Sequence, residues 1–258
     1  MNPGRTEGIV LKSRPFGEAD LIIEFLTRDF GVRPAFAKSP RKIKSRFGGS
    51  LEPFTHSRIS LLGREDANLP RLTQSDIIRP FQTLRENSGG FIQACDLARL
   101  VLKLLPERET AGAAGAFDLM LWGLDGLEKE PASAFVPPVF RLRLMALAGY
   151  APSLDGCVRC GGQSETFYPR DGALLCGNCQ KEGPAVKIKI PAALKNLLKI
   201  LLAFPLEKLD RIKPGPALLS ELKGFVDAHF REAINLTVRP ARAGKAASCR
   251  PGPCQPGL

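Results

Sequence analysis

Hydrophobic positions along the chain change their period near residue 80. Before that point they fall in short runs separated by turn residues. Residues 8–13 (Gly-Ile-Val-Leu-Lys-Ser) form a compact apolar run, closed by Arg14-Pro15-Phe16-Gly17-Glu18. Residues 20–27 follow, rich in β-branched and aromatic side chains, and residues 31–38 alternate, with Val32, Pro34 and Phe36 on one face. Two further runs, 54–62 and 69–78, flank a turn at 63–68. Five short strands with turns at close intervals predict a small barrel or sandwich.

From Phe81 onward the spacing is helical. Phe91, Ile92, Cys95, Ala98, Leu102 and Leu105 define one helix, and Phe117, Met120, Leu121, Leu124 and Leu127 a second. Residues 135–149 make a third, closed by Gly149, and 192–204 and 216–231 add two more. Cys95 sits in the first of these stripes as a reduced core cysteine would. The expected organisation is a nucleic-acid-binding barrel over 1–80 and a helical domain in two parts, 81–153 and 184–238. A cysteine module over 154–183 is inserted between them, and 239–258 form a Pro- and Gly-rich basic tail expected to be disordered. Cys249 and Cys254, in that tail, are assigned no metal.

The inserted module carries the sharpest chemistry. Cys157 and Cys160 form one C-x2-C pair and Cys176 and Cys179 a second, with fifteen residues between the pairs. That spacing is a zinc pattern, because each tight turn aims two sulfurs at a common point. Four thiolates close a tetrahedral shell, so the metal is expected to be one structural Zn2+ with no open position for catalysis. Two disulfides are the competing reading, and the absence of a secretory signal at the start of the sequence argues against it. Between the pairs, Pro169-Arg170-Asp171-Gly172 predicts a hairpin turn.

Charge narrows the partners. The net charge is +11, and it is uneven: residues 1–80 hold 14 Lys/Arg against 9 Asp/Glu, and 81–156 hold 7 against 9. Residues 157–258 hold 16 against 8. A neutral middle between basic ends points to a polyanion, with nucleic acid foremost. Five cations, Lys38, Arg41, Lys42, Lys44 and Arg46, fall within nine residues, and no acid occurs from Phe30 to Leu51. Such a loop supplies sequence-independent affinity by releasing phosphate counterions; a solvated, mobile loop is the bland alternative. Arg33, in the same acid-free stretch, is counted with it. Phe16, Phe25, Phe36, Phe47 and Phe54 interleave with the charges, and aromatics on a barrel face can stack bases. Phe47, inside the loop, is the expected stacking residue, whereas Phe25 and Phe36 are expected inside the barrel. A five-stranded barrel with this role would be an OB-fold. Lys187, Lys189, Lys195 and Lys199 lie in a second acid-free stretch, which extends the polyanion track or is a wet helix face.

Several classes drop out. No phosphate-binding G-x-x-x-x-G-K-[ST], H-E-x-x-H or G-x-S-x-G motif is present, and His56 and His229 are isolated. The expectation is therefore a binding protein and no enzyme, without membrane span or small-molecule substrate. The expected compartment is the cytoplasm, at the nucleoid. The competing class is a zinc-ribbon RNA-binding or translation-associated protein.

Three segments carry a family resemblance. Residues 8–20 (Gly-Ile-Val-Leu-Lys-Ser-Arg-Pro-Phe-Gly-Glu-Ala-Asp) resemble the amino-terminal signature of the RecO family of bacterial recombination mediators. Ala37-Lys38, with residues 45–54, continues it, and residues 140–152 resemble the helix preceding that family's cysteine module. The likeness runs through residues 5–235 in order. It implies an α+β, multidomain chain: an OB-fold barrel, then an α-helical domain with an embedded zinc-finger-like module. It also implies binding of single- and double-stranded DNA and annealing of complementary strands. The implied partners are RecR, the acidic tail of the single-stranded DNA-binding protein, and the RecA recombinase that the family helps to load. Lys38, Arg41, Lys42, Lys44 and Arg46 match the family's basic loop, and Cys157, Cys160, Cys176 and Cys179 its zinc-bearing branch. Arg141 or Arg143 is the candidate for the acidic tail. The loop departs at Ser39-Pro40, where the family commonly has Gly followed by a small or apolar residue, which bears on its flexibility and not its charge.

Overall fold

The computed structural model describes residues 4–41, 45–63, 69–180 and 186–238; the tail 239–258 lies outside them. Five strands, β1 (Gly4–Phe16), β2 (Asp20–Thr27), β3 (Gly31–Ala37), β4 (His56–Leu62) and β5 (Arg71–Arg79), close into a barrel in the order β1-β2-β3-β5-β4. Neighbours are antiparallel except where β3 meets β5, at the single pair Phe36 and Arg71. This is the OB-like barrel expected from the strand pattern.

Alternation sends Val10, Ile23, Phe25, Ala35, Ala37, Ile59, Leu61 and Leu72 into the barrel. Ile23 lies opposite Ala35 and Leu21 opposite Ala37, so small residues of β3 face inward against large ones of β2. Val32, Pro34 and Phe36 do share a face, but it is the outer one. Phe25 fills the interior as expected; Phe36 does not. Ile9, Leu11, Leu26 and Val32 point away from the barrel and join the helical core. Being buried on both faces is why the start of β1 reads as a continuous apolar run.

The helices are α1 (Gln82–Glu86), α2 (Ser88–Leu104), α3 (Ala113–Lys129), α4 (Val136–Leu147), α5 (Ala192–Ala203) and α6 (Pro216–Val238). At the centre, α3 is bare where its neighbours approach. A Cβ on Gly123 would lie 2.8 Å from Leu97 and 3.0 Å from Phe140. The buried face of α2 is Ala94, Leu97, Ala98, Val101 and Leu104, one position round from the expected stripe. Ile92, expected to be buried, is 61% exposed.

Barrel and helices meet around Phe117 of α3, which is fully buried. The His56 ring packs edge-on against it at 5.4 Å, and the Arg28 guanidinium lies 4.8 Å above it. Arg28 bonds Asp118 at 2.6 Å, and His56 meets Glu7 at 3.0 Å. Arg79 bridges to Glu128 at 2.6 Å and to Asp125, stacked 4.2 Å over Phe81. Burial pushes the His56 imidazole pKa down, against the pull of Glu7. The segment after α2 crosses this seam, its Arg108 N–H donating to the Val32 carbonyl at 3.0 Å.

Gly31 turns between β2 and β3 at φ +63°, and a Cβ there would collide with the Glu109 carbonyl oxygen. Gly17 has a similar φ, +65°, in open space. Gly17→Ala should therefore cost about 1 kcal/mol, for the left-handed backbone alone. Gly31→Ala should cost about 3 kcal/mol, because backbone strain adds to it. Thermal denaturation reads the difference as several degrees; equal losses would show that the 106–109 segment is not seated on the barrel.

Candidate nucleic-acid interface and metal centre

The basic loop leaves β3 at Lys38 and is fixed at both limbs. Ser39 N–H donates to the Asp20 carboxylate at 2.6 Å, and Arg41 N–H to the Ala19 carbonyl at 3.3 Å. These bonds tie the outgoing limb to the β1–β2 turn. The returning limb is held by a short 3-10 helix, Gly48–Leu51. Phe47 and Leu51 drop from it into the barrel interior. Arg46 stays exposed, 4.9 Å over the Phe47 ring. Lys38 and Arg41 are exposed too, and none of these three forms an ion pair with a described residue. Lys42 and Lys44 lie outside the described residues.

Two expectations change here. Phe47 is 3% exposed; its ring closes the barrel mouth and offers no face to a base. The hydrophobic interior claims an aromatic that charge pattern alone assigned to the surface. Arg33 is not brought to the loop. It stands five residues back along β3, about 16 Å from Lys38, half-buried and 5.9 Å from the Phe30 ring. Burial and the neighbouring Arg108 both lower its pKa, in that order. Arg33 belongs to the seam.

Sequence reasoning grouped Phe16 with the interleaved aromatics but gave the end of β1 no role of its own. Residues 12–18 are all exposed, giving an arm that carries Lys12, Arg14 and Phe16. The second lysine stretch also differs in space from its reading in sequence. Lys199 bonds Asp155 at 2.6 Å, and Lys189 lies 3.9 Å from Glu165. Acids distant in sequence compensate this face in part.

The four cysteines converge. Strands β6 (Ser153–Cys157), β7 (Thr166–Tyr168), β8 (Ala173–Leu174) and β9 (Ile188–Lys189) form a sheet in the order β6-β8-β7-β9. The expected hairpin joins β7 to β8, with Asp171 N–H donating to the Tyr168 carbonyl at 3.0 Å. Each cysteine pair closes a tight turn: Gly161 N–H donates to the Cys157 carbonyl at 2.8 Å, and Cys179 N–H to the Cys176 carbonyl at 3.0 Å. Arg159 crosses between the turns, donating to the Cys179 carbonyl at 2.6 Å.

The sulfurs of Cys157, Cys160, Cys176 and Cys179 lie within 4.8 Å of one another, and the Cys160–Cys176 pair is 3.6 Å apart. Tetrahedral bonds of about 2.3 Å place sulfurs roughly 3.8 Å apart, so the cluster can hold a metal ion. Electrostatics agree. A hydrogen bond from the Cys176 backbone leads the causes that bring the Cys157 thiol down to about 6. Cys160 leads the sulfurs that push Cys179 up to about 12. Holding all four as thiolates at neutral pH requires a cation among them.

A cavity of about 310 Å3 opens between α3, α4 and α5, lined by Leu119, Leu147, Leu202, Leu206 and Arg143. Arg143 donates to the Leu202 carbonyl at 2.8 Å and to the Phe204 carbonyl, and burial lowers its pKa. Arg141 is committed elsewhere, to Asp227 and the Phe230 ring at 4.9 Å.

These features define a class: a small OB-like barrel with a cationic loop, joined to a helical core that embeds a four-cysteine centre. A family model for Recombination protein O N terminal matches residues 1–81, and one for Recombination protein O C terminal matches residues 93–239. The chain is similar to DNA repair protein RecO of Thermodesulfovibrio yellowstonii, at 41% identity over 87% of this chain and 91% of that one. It is similar to DNA repair protein RecO of Rubrobacter xylanophilus at 35% identity, over 93% and 97%. The same-named protein of Heliobacterium modesticaldum is 33% identical over 88% and 84%. The chain belongs to the RecO family of DNA repair proteins.

Native mass spectrometry should find one metal ion per chain, and Cys157→Ser, at the buried corner, should abolish it and expose the module's amides to hydrogen exchange. An intact wild-type chain that carries no ion in the presence of excess metal would show that the cluster is metal-free.

Proposed function

We propose that this chain is a non-enzymatic recombination mediator. It binds single- and double-stranded DNA, anneals complementary strands, and with RecR helps load the RecA recombinase onto DNA coated by the single-stranded DNA-binding protein. The carrying observation is the set of exposed cations Lys38, Arg41 and Arg46 on an anchored loop, without ion pairs among the described residues. Lys42 and Lys44 add two more charges to the same loop.

The mechanism is electrostatic. Two strands approach when their phosphate repulsion falls, and they pair correctly only if base edges stay free. Phosphate contacts position a strand without reading it, so pairing itself selects the sequence. No bond is broken, and no nucleotide is consumed. The four-thiolate donor set suits one structural Zn2+, which would close its coordination shell and fix the two cysteine turns together. The apolar cavity beside Arg143 suits an acidic tail ending in an apolar residue and a carboxylate. Arg143 lines that cavity and bonds carbonyls, with no acid partner among the described residues, whereas Arg141 already holds Asp227. The place of action is the cytoplasm, at the nucleoid. The RNA-binding alternative has only the cysteine module in its favour.

Replacing Arg41, Lys42 and Lys44 by Glu should weaken binding to all sequences alike, single- and double-stranded. It should also flatten the salt dependence by roughly 3 in slope; an unchanged slope would remove the loop from the interface. Wild-type protein should accelerate annealing of oligonucleotides coated with the cognate single-stranded DNA-binding protein, at stoichiometric amounts and without nucleotide. That acceleration should be lost when the coat protein's acidic tail is deleted. Tight DNA binding with no acceleration would leave a DNA-binding protein without mediator action.

A further inference from the structure

The arm that ends β1 carries an aromatic with no structural task equal to its exposure. Phe16 is 51% exposed at the end of a 13-residue strand. Phe47, by contrast, is spent inside the barrel. Alternation along β1 places Lys12, Arg14 and Phe16 on the outer face, opposite Glu24, Ile22 and Asp20 of β2. The Phe16 ring meets Phe36 edge to face, with centroids 5.9 Å apart and planes at 88°. Such contact fixes a ring's orientation while leaving a broad face uncovered.

Cations gather at the same corner. Asp20, the cross-strand partner of Phe16, accepts the Ser39 N–H at 2.6 Å, and Ala19 accepts the Arg41 N–H at 3.3 Å. The basic loop therefore starts beside the aromatic, with Lys38 and Arg41 exposed next to it. Of the neighbouring acids, Asp20 is occupied by the loop backbone, Glu24 lies opposite Lys12, and Glu18 stands exposed in the β1–β2 turn. A fixed aromatic face beside unpaired cations is the chemistry that recognises a nucleotide, base on ring and phosphate on charge.

We propose that Phe16 is a stacking platform for an unpaired base. The proposal rests on the DNA-binding reading above and deepens it, because it makes one contact specific to single strands. A base inside a duplex has both faces covered by its neighbours and cannot use the ring. Phosphate contacts persist through annealing, while the Phe16 contact is given up as the second strand pairs. The platform thus favours capture of the substrate over retention of the product.

The test uses the full chain, oligothymidylate as the single-stranded probe, and a blunt duplex of equal length. Phe16→Ala should lose roughly 5- to 150-fold in affinity for the single strand, the range one base–aromatic stack supplies. It should leave duplex affinity and the salt slope unchanged. Phe16→Leu should lose as much, since it keeps an apolar surface without a π-face; retention by Leu would mean apolar docking and overturn the proposal. Phe16→Trp should bind as wild type, and its fluorescence should be quenched by the single strand and not by the duplex. Trp122, 9% exposed, is the only other tryptophan. If Phe16→Ala binds single strands normally while the loop reversal fails, the platform is wrong and the DNA reading stands. If wild-type protein binds neither probe, both fall.

Discussion

The contact on which the rest of this structure depends is the burial of Phe117 between the barrel and the helices, under His56 and Arg28. An isolated barrel of some eighty residues buries a smaller fraction of its surface than a larger domain does and is marginal alone. Here Ile9, Leu11, Leu26 and Val32 lend their outward faces to the helical core, so one apolar interior serves both parts. Two arginines at this seam are held by acids: Arg28 by Asp118, Arg79 by Asp125 and Glu128. On the loop after β3, Arg41 and Arg46 have no such partners among the described residues. One residue type thus serves as cement at the seam and stands exposed on the loop.

Much of this was legible along the chain. Five strands and the main helices follow from periodicities of two and 3.6, which are local properties. The cysteine centre was legible because C-x2-C spacing encodes its own turn. What failed was long-range. Whether Val32, Pro34 and Phe36 or the alternate residues of β3 face inward is set by pairing with Ile23 and Leu21, and a strand's own sequence does not state it. Phe47 was assigned to the surface by its charged neighbours, yet the barrel mouth needed a plug. Lys189 and Lys199 looked uncompensated because Glu165 and Asp155 lie far off in sequence. Local charge density is a poor measure of surface charge once a fold brings distant acids back.

The resemblance to the RecO family and the barrel topology agree, and the loop supplies a physical reason for a non-reading contact. A surface that anneals must hold strands without holding their base edges. Cations on such a loop would do that with little ordering cost at its outgoing limb, where the backbone is already bonded to Asp20 and Ala19.

The cysteine insert also bears on how the chain finds its fold. Between the end of α4 at Leu147 and the start of α5 at Ala192, the chain runs 44 residues outside the helices. As a flexible excursion it would tax every attempt of α5 and α6 to dock on α4. A folded insert, clipped at its four cysteines, shortens that excursion to a tether of a few residues. Logarithmic scaling of closure entropy makes the saving about 2 kcal/mol. The cysteine cluster thereby bears on how readily the last two helices come home.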